Sequence, residues 1–275
     1  MKVIELIKRH QTAVLIFAAL FISISIRLMW VSQFQLMEQY LWNGELLIDS
    51  NDGYFFASGA QNALYGSLQS NPRVPDIFYN AVIAVTVLLV KTLPFSLATV
   101  IFYLPVVIGS LIIIPIILIG RLYNAPLLGF FAGVLASLSW GYFDRTVAGY
   151  FDTDMFSVTG VLFVLFFFLA QIKHRRDLFS LLAALAILLY PFLYDQGRPL
   201  IYALSIAYFL YLILFKRHER STYTAIFLVS TGLLSFSLWA QFATILAFYY
   251  LVIQEFIKDT SLKIAALIAL LLFLY

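Results

Sequence analysis

From Leu97 to Gly120 the chain carries no charged side chain, and its central part, Leu111 to Gly120, is aliphatic apart from one proline and one glycine. No other feature limits the possible folds as strongly. In hydrocarbon, every backbone N–H and C=O must be satisfied within its own segment or within a closed barrel. Barrel strands alternate apolar and polar side chains, and this run does not. Helix is what remains. The rest of the chain has the same character: 63% of residues are hydrophobic, 11% are charged, and the mean hydropathy is +0.96. Soluble domains carry about 25% charged residues. The expected class is therefore an all-α polytopic membrane protein, with the lipid bilayer as its solvent.

Apolar stretches near 11–31, 97–120, 126–143, 155–172, 178–194, 199–215, 222–238, 241–257 and 262–275 predict about nine spans. The basic Lys2, Lys8 and Arg9 precede an apolar stretch from Thr12 to about Trp30. That stretch is too long for a signal-peptide core and has no small-residue cleavage site, so it reads as an uncleaved first span. A further run, Ile77 to Leu93, decides the orientation of everything after it. Cytoplasmic loops collect lysine and arginine. With 77–93 as an interfacial or re-entrant helix, Arg121, Lys173–Arg176, Lys216–Arg220, Lys258 and Lys263 all fall on the inner face. A crossing there would put those clusters outside. The first outer loop is then 33–96, the second outer motif 143–154, and their acids share one compartment.

The net charge of +3 comes mainly from these short clusters, which makes it a topology signal and not a nucleic-acid footprint. The absence of cysteine excludes disulfides, thiolate catalysis and cysteine-ligated metals. The last apolar run, Ile264 to Tyr275, falls short of a span and has no polar cap or loop after it. That predicts a truncated chain, 1–275 being transmembrane domain only.

Two short segments can carry chemistry. Asp49-Ser50-Asn51-Asp52-Gly53-Tyr54 is turn chemistry in the first outer loop, predicting an Asx turn ahead of a helix starting near Tyr54. Arg145 to Asp154 ends in Asp152-Thr153-Asp154, directly before an apolar helix opening at Met155. One acid there suits a helix N-terminus. Two acids with an arginine exceed what a cap needs. Carboxylates at i and i+2 around a turn can present oxygens to a hard cation such as Mg²⁺ or Mn²⁺, which binds diphosphate well. Arg145 can pair with one acid or with phosphate.

His10, His174 and His218 all fall at cytoplasmic ends, away from the outer carboxylates, and are assigned no role. In the loop Tyr190–Pro199, which carries Tyr194, Asp195, Gln196 and Arg198, Pro191, Gly197 and Pro199 read as punctuation of a tight turn, with lining of the acids' cavity as the lesser alternative. Arg27, near the outer end of the first span, is expected to snorkel to the interface.

Asn51-Asp52-Gly53-Tyr54, followed by Arg145-Thr146 and Gly149-Tyr150-Phe151-Asp152-Thr153-Asp154-Met155, resembles the catalytic subunit of oligosaccharyltransferase, the bacterial single-subunit form above all. The resemblance implies a GT-C-type glycosyltransferase transmembrane domain. It implies transfer of a glycan from a polyprenyl diphosphate to asparagine in Asn-X-Ser/Thr sequons of an acceptor protein or peptide. Asp52 and Asp152 would be both catalytic residues and metal ligands, Asp52 also engaging the acceptor amide. Arg145 and Asp154 would be the supporting pair. The expected location is the inner (plasma) membrane, with the active face periplasmic or extracellular.

Members of the family continue into a long outer loop with a catalytic glutamate and a soluble domain with a Trp-Trp-Asp-Tyr-Gly motif. Within 1–275 neither occurs, and Trp239 is followed by Ala240 and Gln241. The C-terminal soluble domain is thus expected to be absent and the isolated chain inactive unless a second chain supplies that half. Two other readings stand beside this one. The first is another GT-C enzyme using a polyprenyl-phosphate sugar. The second is a non-enzymatic transporter or membrane fragment, which would place acids along its helix interiors.

Overall fold

The structure, a computed structural model, describes residues 10–42, 45–66 and 71–275. The basic Lys2, Lys8 and Arg9 lie outside the described residues. The chain divides into two compact units, Met1–Thr159 with Phe192–Tyr194, and Gly160–Pro191 with Asp195–Tyr275.

The first unit opens with α1 (Gln11–Phe34). A short antiparallel pair follows, β1 (Leu41–Trp42) with β2 (Glu45–Leu46), a small exception to the all-helical expectation. Then come α2 (Asn51–Tyr65), α3 (Ala81–Thr92), α4 (Leu97–Ser110), α5 (Ile113–Leu122), α6 (Pro126–Ser137) and the single turn α7 (Trp140–Phe143). Helix α8 (Asp154–His174) starts in the first unit and carries the chain into the second. There follow α9 (Asp177–Leu193), α10 (Arg198–Phe215), α11 (Arg220–Leu233), α12 (Leu238–Ile253) and α13 (Asp259–Leu274).

Among the described residues four helical stretches are long and apolar enough to cross a membrane: Gln11–Phe34, Leu97–Leu122, Asp154–His174 and Asp195–Phe215. A fifth span forms if Pro126–Ser137 and Trp140–Thr146, bent by 63°, count together. The bend arises at Ser139, whose backbone leaves the helical region (φ −61°, ψ 130°). The other stretches expected as spans are helical but shorter. Helices α9, α11, α12 and α13 have 17, 14, 16 and 16 residues. That is about 21 to 26 Å at 1.5 Å per residue, against a hydrocarbon core of about 30 Å. The run expected at 222–238 stops at Leu233 because Leu234 is extended (φ −68°, ψ 155°).

Helix α3 has 12 residues, which is about 18 Å, too short to span. Asn80 caps it by accepting from the Ile83 N–H at 3.2 Å. Its Val82, Ile83 and Val87 are buried with Phe56 and Ala60 of α2 and Val100, Ile101 and Leu104 of α4. That core is the floor on which the acid-bearing loops stand.

Helices α5 and α6 form a hairpin that meets backbone to backbone. A Cβ on Gly120 would lie 2.7 Å from the Gly129 Cα, and one on Gly129 would lie 3.0 Å from the Ile117 Cα. Asn124 makes the turn in the left-handed region (φ 60°), which asparagine tolerates.

In the second unit, ion pairs gather the basic clusters. Arg175 and Lys216 each reach Glu219 at 3.2 Å, and Arg220 reaches Asp259 at 3.2 Å and the Ile257 carbonyl at 3.0 Å. The C-terminal ends of α8 and α10 and the N-terminal ends of α11 and α13 therefore meet at one end of this unit.

Candidate functional site

Helix α2 begins at Asn51, three positions before Tyr54, because the cap is Ser50 and not an Asx side chain. The Ser50 backbone is extended (φ −125°, ψ 142°), and its hydroxyl accepts from the Gly53 N–H at 3.0 Å. Serine thereby satisfies one of the free N–H groups of the first turn. Asp52 consequently sits in that turn with an exposed side chain, at the end of the helix that favours negative charge.

The second loop is held by what flanks its acids. Phe151 and Met155 are both fully buried in the core around Phe56, Ile83 and Val100, so Asp152-Thr153-Asp154 is fixed on either side. Helix α8 opens at Asp154, one residue before the expected Met155. Asp152 is itself 9% exposed, and its Oδ1 accepts from both the N–H and the hydroxyl of Thr153. Burial pushes the Asp152 carboxyl above its ordinary value. Asp154 adds to this, the Thr153 hydrogen bonds oppose it, and Asp52 contributes a further upward push. Asp154 is the paired acid: Arg145 Nη1 donates to its Oδ2 at 2.8 Å and to the Tyr150 hydroxyl at 3.0 Å. The Tyr194 hydroxyl also hydrogen-bonds Asp154.

The two loops are in direct contact through backbone. The Asp49 N–H donates to the Gly149 carbonyl at 2.9 Å, and the Gly149 N–H donates to Phe102 of α4, also at 2.9 Å. Gly149 adopts φ +87°, and a Cβ there would lie 3.0 Å from the Phe102 ring, so only glycine suits the junction. Four residues after Asp49, a Cβ at Gly53 would lie 3.0 Å from the Phe151 carbonyl. Asp52 and Asp152 thus come from loops that touch on both sides of Asp52 and immediately before Asp152. Asp49 lies beside Asp144; burial first, then that neighbouring acid, raises the Asp49 carboxyl.

Arg27 departs from expectation. It does not snorkel: it is fully buried, and its guanidinium bonds to Ser23, Ser137 and Thr146. Snorkelling needs a path to the interface, and here a hydroxyl of its own helix together with the hydroxyls and carbonyls of Ser137 and Thr146 close around the side chain.

Among the described residues no three His, Cys, Asp or Glu side chains converge as a ready-made metal cage. The donors at hand are the two carboxylates of Asp52 and Asp152, a hard oxygen set. Small divalent cations are commonly held by one or two carboxylates, with water and substrate phosphate completing the shell, and this pair fits that mode. Three groups at the site were given no role from the sequence. Asp144 could have been noticed as the neighbour of Arg145. Tyr150 stands inside the resembling motif and Tyr194 in the Tyr190–Pro199 loop, but tyrosine is common throughout so apolar a chain and nothing local marked either phenol as a hydrogen-bond partner of the Arg145–Asp154 pair.

Comparisons with known proteins bear on the family and the fold. Residues 6–275 match the family model for oligosaccharyl transferase STT3, N-terminal. The undecaprenyl-diphosphooligosaccharide–protein glycotransferase of Campylobacter jejuni subsp. jejuni serotype O:2 is 37% identical over 229 residues, covering 82% of this chain and 31% of that protein. The dolichyl-phosphooligosaccharide-protein glycotransferase of Methanococcus voltae is 25% identical over 244 residues, covering 74% of this chain and 27% of that one. The chain thus spans about a third of the length of the curated relatives it matches. Among solved structures, the archaeal oligosaccharyltransferase AglB from Archaeoglobus fulgidus, in complex with an inhibitory peptide and a dolichol-phosphate, superposes with a TM-score of 0.61. The match covers 98% of this chain and 37% of that one at 14% identity, so the likeness is one of fold, the GT-C-type membrane fold. Taken over nearly its whole length, this multi-pass membrane chain belongs to the oligosaccharyl transferase STT3 family, matching that family's N-terminal region.

Proposed function

We propose that this chain provides the acidic half of a site that moves a glycan from a polyprenyl diphosphate to the side-chain amide of asparagine in Asn-X-Ser/Thr sequons. The observation that carries the reading is the contact between the two loops, Asp49 to Gly149 and Gly53 to Phe151, which brings the Asp52 and Asp152 carboxylates within electrostatic reach.

An amide nitrogen is a poor nucleophile because its lone pair is delocalised into the carbonyl. Asp52, exposed at the mouth of the site, accepts a hydrogen bond from the acceptor N–H and draws electron density back to nitrogen. Asp152, buried and oriented by Thr153, would supply the second oxygen ligand of a divalent cation. A Mg²⁺ or Mn²⁺ ion held by Asp52 and Asp152 would offset the charge of the departing diphosphate. Arg145 neutralises Asp154 and ties it to the Tyr150 hydroxyl through the same nitrogen. The location that goes with this reading is the inner membrane of the cell, with both loops on its outer face.

The test is twofold. Purified chain is titrated with Mn²⁺ and assayed with a fluorescent undecaprenyl-diphosphate glycan and a sequon peptide. Asp52→Ala and Asp152→Ala should each weaken Mn²⁺ binding and abolish whatever transfer the parent chain shows. Mn²⁺ binding indifferent to both substitutions would sink the site assignment.

A further inference from the structure

Arg27 lies within a span-length apolar helix, has no solvent exposure, and among the described residues pairs with no carboxylate. Burying an unpaired charge is costly, and an apolar residue of similar volume would fill such a place more cheaply. Yet every N–H of this guanidinium is used. Nε donates to the Thr146 carbonyl at 3.1 Å. Nη1 donates to Ser23 Oγ at 2.6 Å and Ser137 Oγ at 2.9 Å. Nη2 donates to the Ser137 carbonyl at 2.9 Å and Thr146 Oγ1 at 2.8 Å. Those five bonds exhaust the five donors of an arginine. Ser110 of α4 joins the cluster through Ser23 at 2.8 Å, and the Phe143 ring centroid lies 5.1 Å from the guanidinium carbon.

The direction of these bonds carries the inference. Two of the five end on Thr146, the residue next to Arg145 and the first of the segment that runs to Asp154. Thr146 is gripped from other sides as well. Its hydroxyl donates to the Tyr142 carbonyl at 2.7 Å, and Gly109 admits it so closely that a Cβ there would lie 2.5 Å from the Thr146 Cβ. Buried Phe151 and Met155 hold the far end of the segment.

We infer that Arg27 is a positioning residue for the acidic site: its guanidinium clamps Thr146, and through Thr146 it sets where Arg145, Asp152 and Asp154 stand. The inference rests on the reading of Asp52 and Asp152 as the binding pair only for its second readout.

The test compares the chain with its Arg27→Met, Arg27→Lys and Thr146→Val variants in nanodiscs. The first readout is amide hydrogen exchange over 143–153. Arg27→Met should speed exchange there while leaving α2 and α8 as protected as in the parent. Arg27→Lys, which keeps the charge but not the fork, should recover part of the protection. The second readout is Mn²⁺ affinity of the folded protein, which should fall on the order of tenfold in Arg27→Met, the scale usual for residues that orient metal ligands. Asp152→Asn separates the two ideas: it should remove Mn²⁺ binding without loosening 143–150. If Asp152→Asn leaves Mn²⁺ binding intact, the site reading fails and exchange alone decides the case of Arg27. Unchanged exchange over 143–153 in Arg27→Met, or loosening spread evenly over α1, α4 and α6, overturns the inference. Should Arg27→Met not accumulate folded, Thr146→Val reads the same clamp from its other end, and parent-like exchange in that variant overturns it equally.

Discussion

A single methyl group added at Gly53 tests whether contact between the two acid-bearing loops makes the site. The new carbon would lie 2.5 Å from Ile48 Cγ2, 2.8 Å from Ser50 Oγ and 3.0 Å from the Phe151 carbonyl oxygen. Comfortable carbon contacts are about 3.5 to 4.0 Å, so all three neighbours are too near. They differ in how they can yield. Ile48 can change rotamer. Ser50 can move only by giving up its cap, which costs about 1 kcal/mol. The Phe151 carbonyl can move only by dragging Asp152 with it.

Against this, alanine in a helix gains about 1 kcal/mol over glycine. Overpacking typically costs about 1 to 3 kcal/mol, so with the lost cap and the helix gain nearly cancelling, Gly53→Ala should lose roughly that much. The assay is equilibrium unfolding in mixed micelles followed by tryptophan fluorescence, with Mn²⁺ titration of the folded protein alongside. Affinity should drop on the order of tenfold, as when ligand-orienting groups are disturbed. Gly141, where an added Cβ meets nothing within 4 Å, is the control and should tolerate alanine. A Gly53→Ala protein that is more stable than the parent and binds Mn²⁺ equally well would refute the reasoning, since helix propensity would then outweigh the contact.

Three further outcomes are expected. The fold raises the Asp152 pKa, so the native chain binds that proton more tightly than the unfolded chain, and stability falls as pH climbs from the ordinary carboxylate value toward the native one. Asp152→Asn should flatten that slope and be the more stable protein at neutral pH while losing Mn²⁺, as read from unfolding curves between acid and neutral pH. Ser50→Ala should cost about 1 kcal/mol, seen in the same unfolding assay; no loss would mean that the cap hydrogen bond contributes nothing. Gln196 and His218 are both exposed and flank α10, so in this cysteine-free chain Gln196→Cys should react with an impermeant maleimide on intact cells. His218→Cys should react only after permeabilisation, and the reverse order would invert the orientation.

The helices were legible because apolar runs in a membrane protein leave the backbone no alternative, and boundaries such as 154–174 and 198–215 lie close to those read from hydropathy. Interruptions were not. The kink at Ser139 and the end of α11 at Leu233 depend on how neighbours pack, to which a hydropathy window is blind. The cap of α2 shows the same limit at one residue. Asp49, Ser50 and Asn51 can all cap, and the choice falls on Ser50 in a loop whose Asp49 backbone is bound to Gly149, a hundred residues away in sequence. Arg27 was misread for a like reason. Its partners Ser137 and Thr146 lie 110 and 119 positions along the chain, so local reasoning saw a long cation near a helix end and sent it to the interface. The acids were legible as a pattern, and so was the pairing of Arg145 with Asp154; the hydrogen bonds of the Tyr150 phenol with Arg145 and of the Tyr194 phenol with Asp154 were not.

The hairpin of α5 and α6 has a consequence for how this chain tolerates change. At Gly120 the nearest obstacles to a side chain are the backbone atoms of Gly129 and Ala125, which no rotamer change can move. In a library of all single substitutions scored for membrane accumulation, the intolerant positions should therefore include two islands of different kinds. One surrounds the acids, where chemistry is at stake. The other sits at Gly120 and Gly129, where every replacement, alanine included, wedges two helices apart. Selection at that second island would be as severe as at a catalytic residue, and it would protect nothing but an absence of atoms.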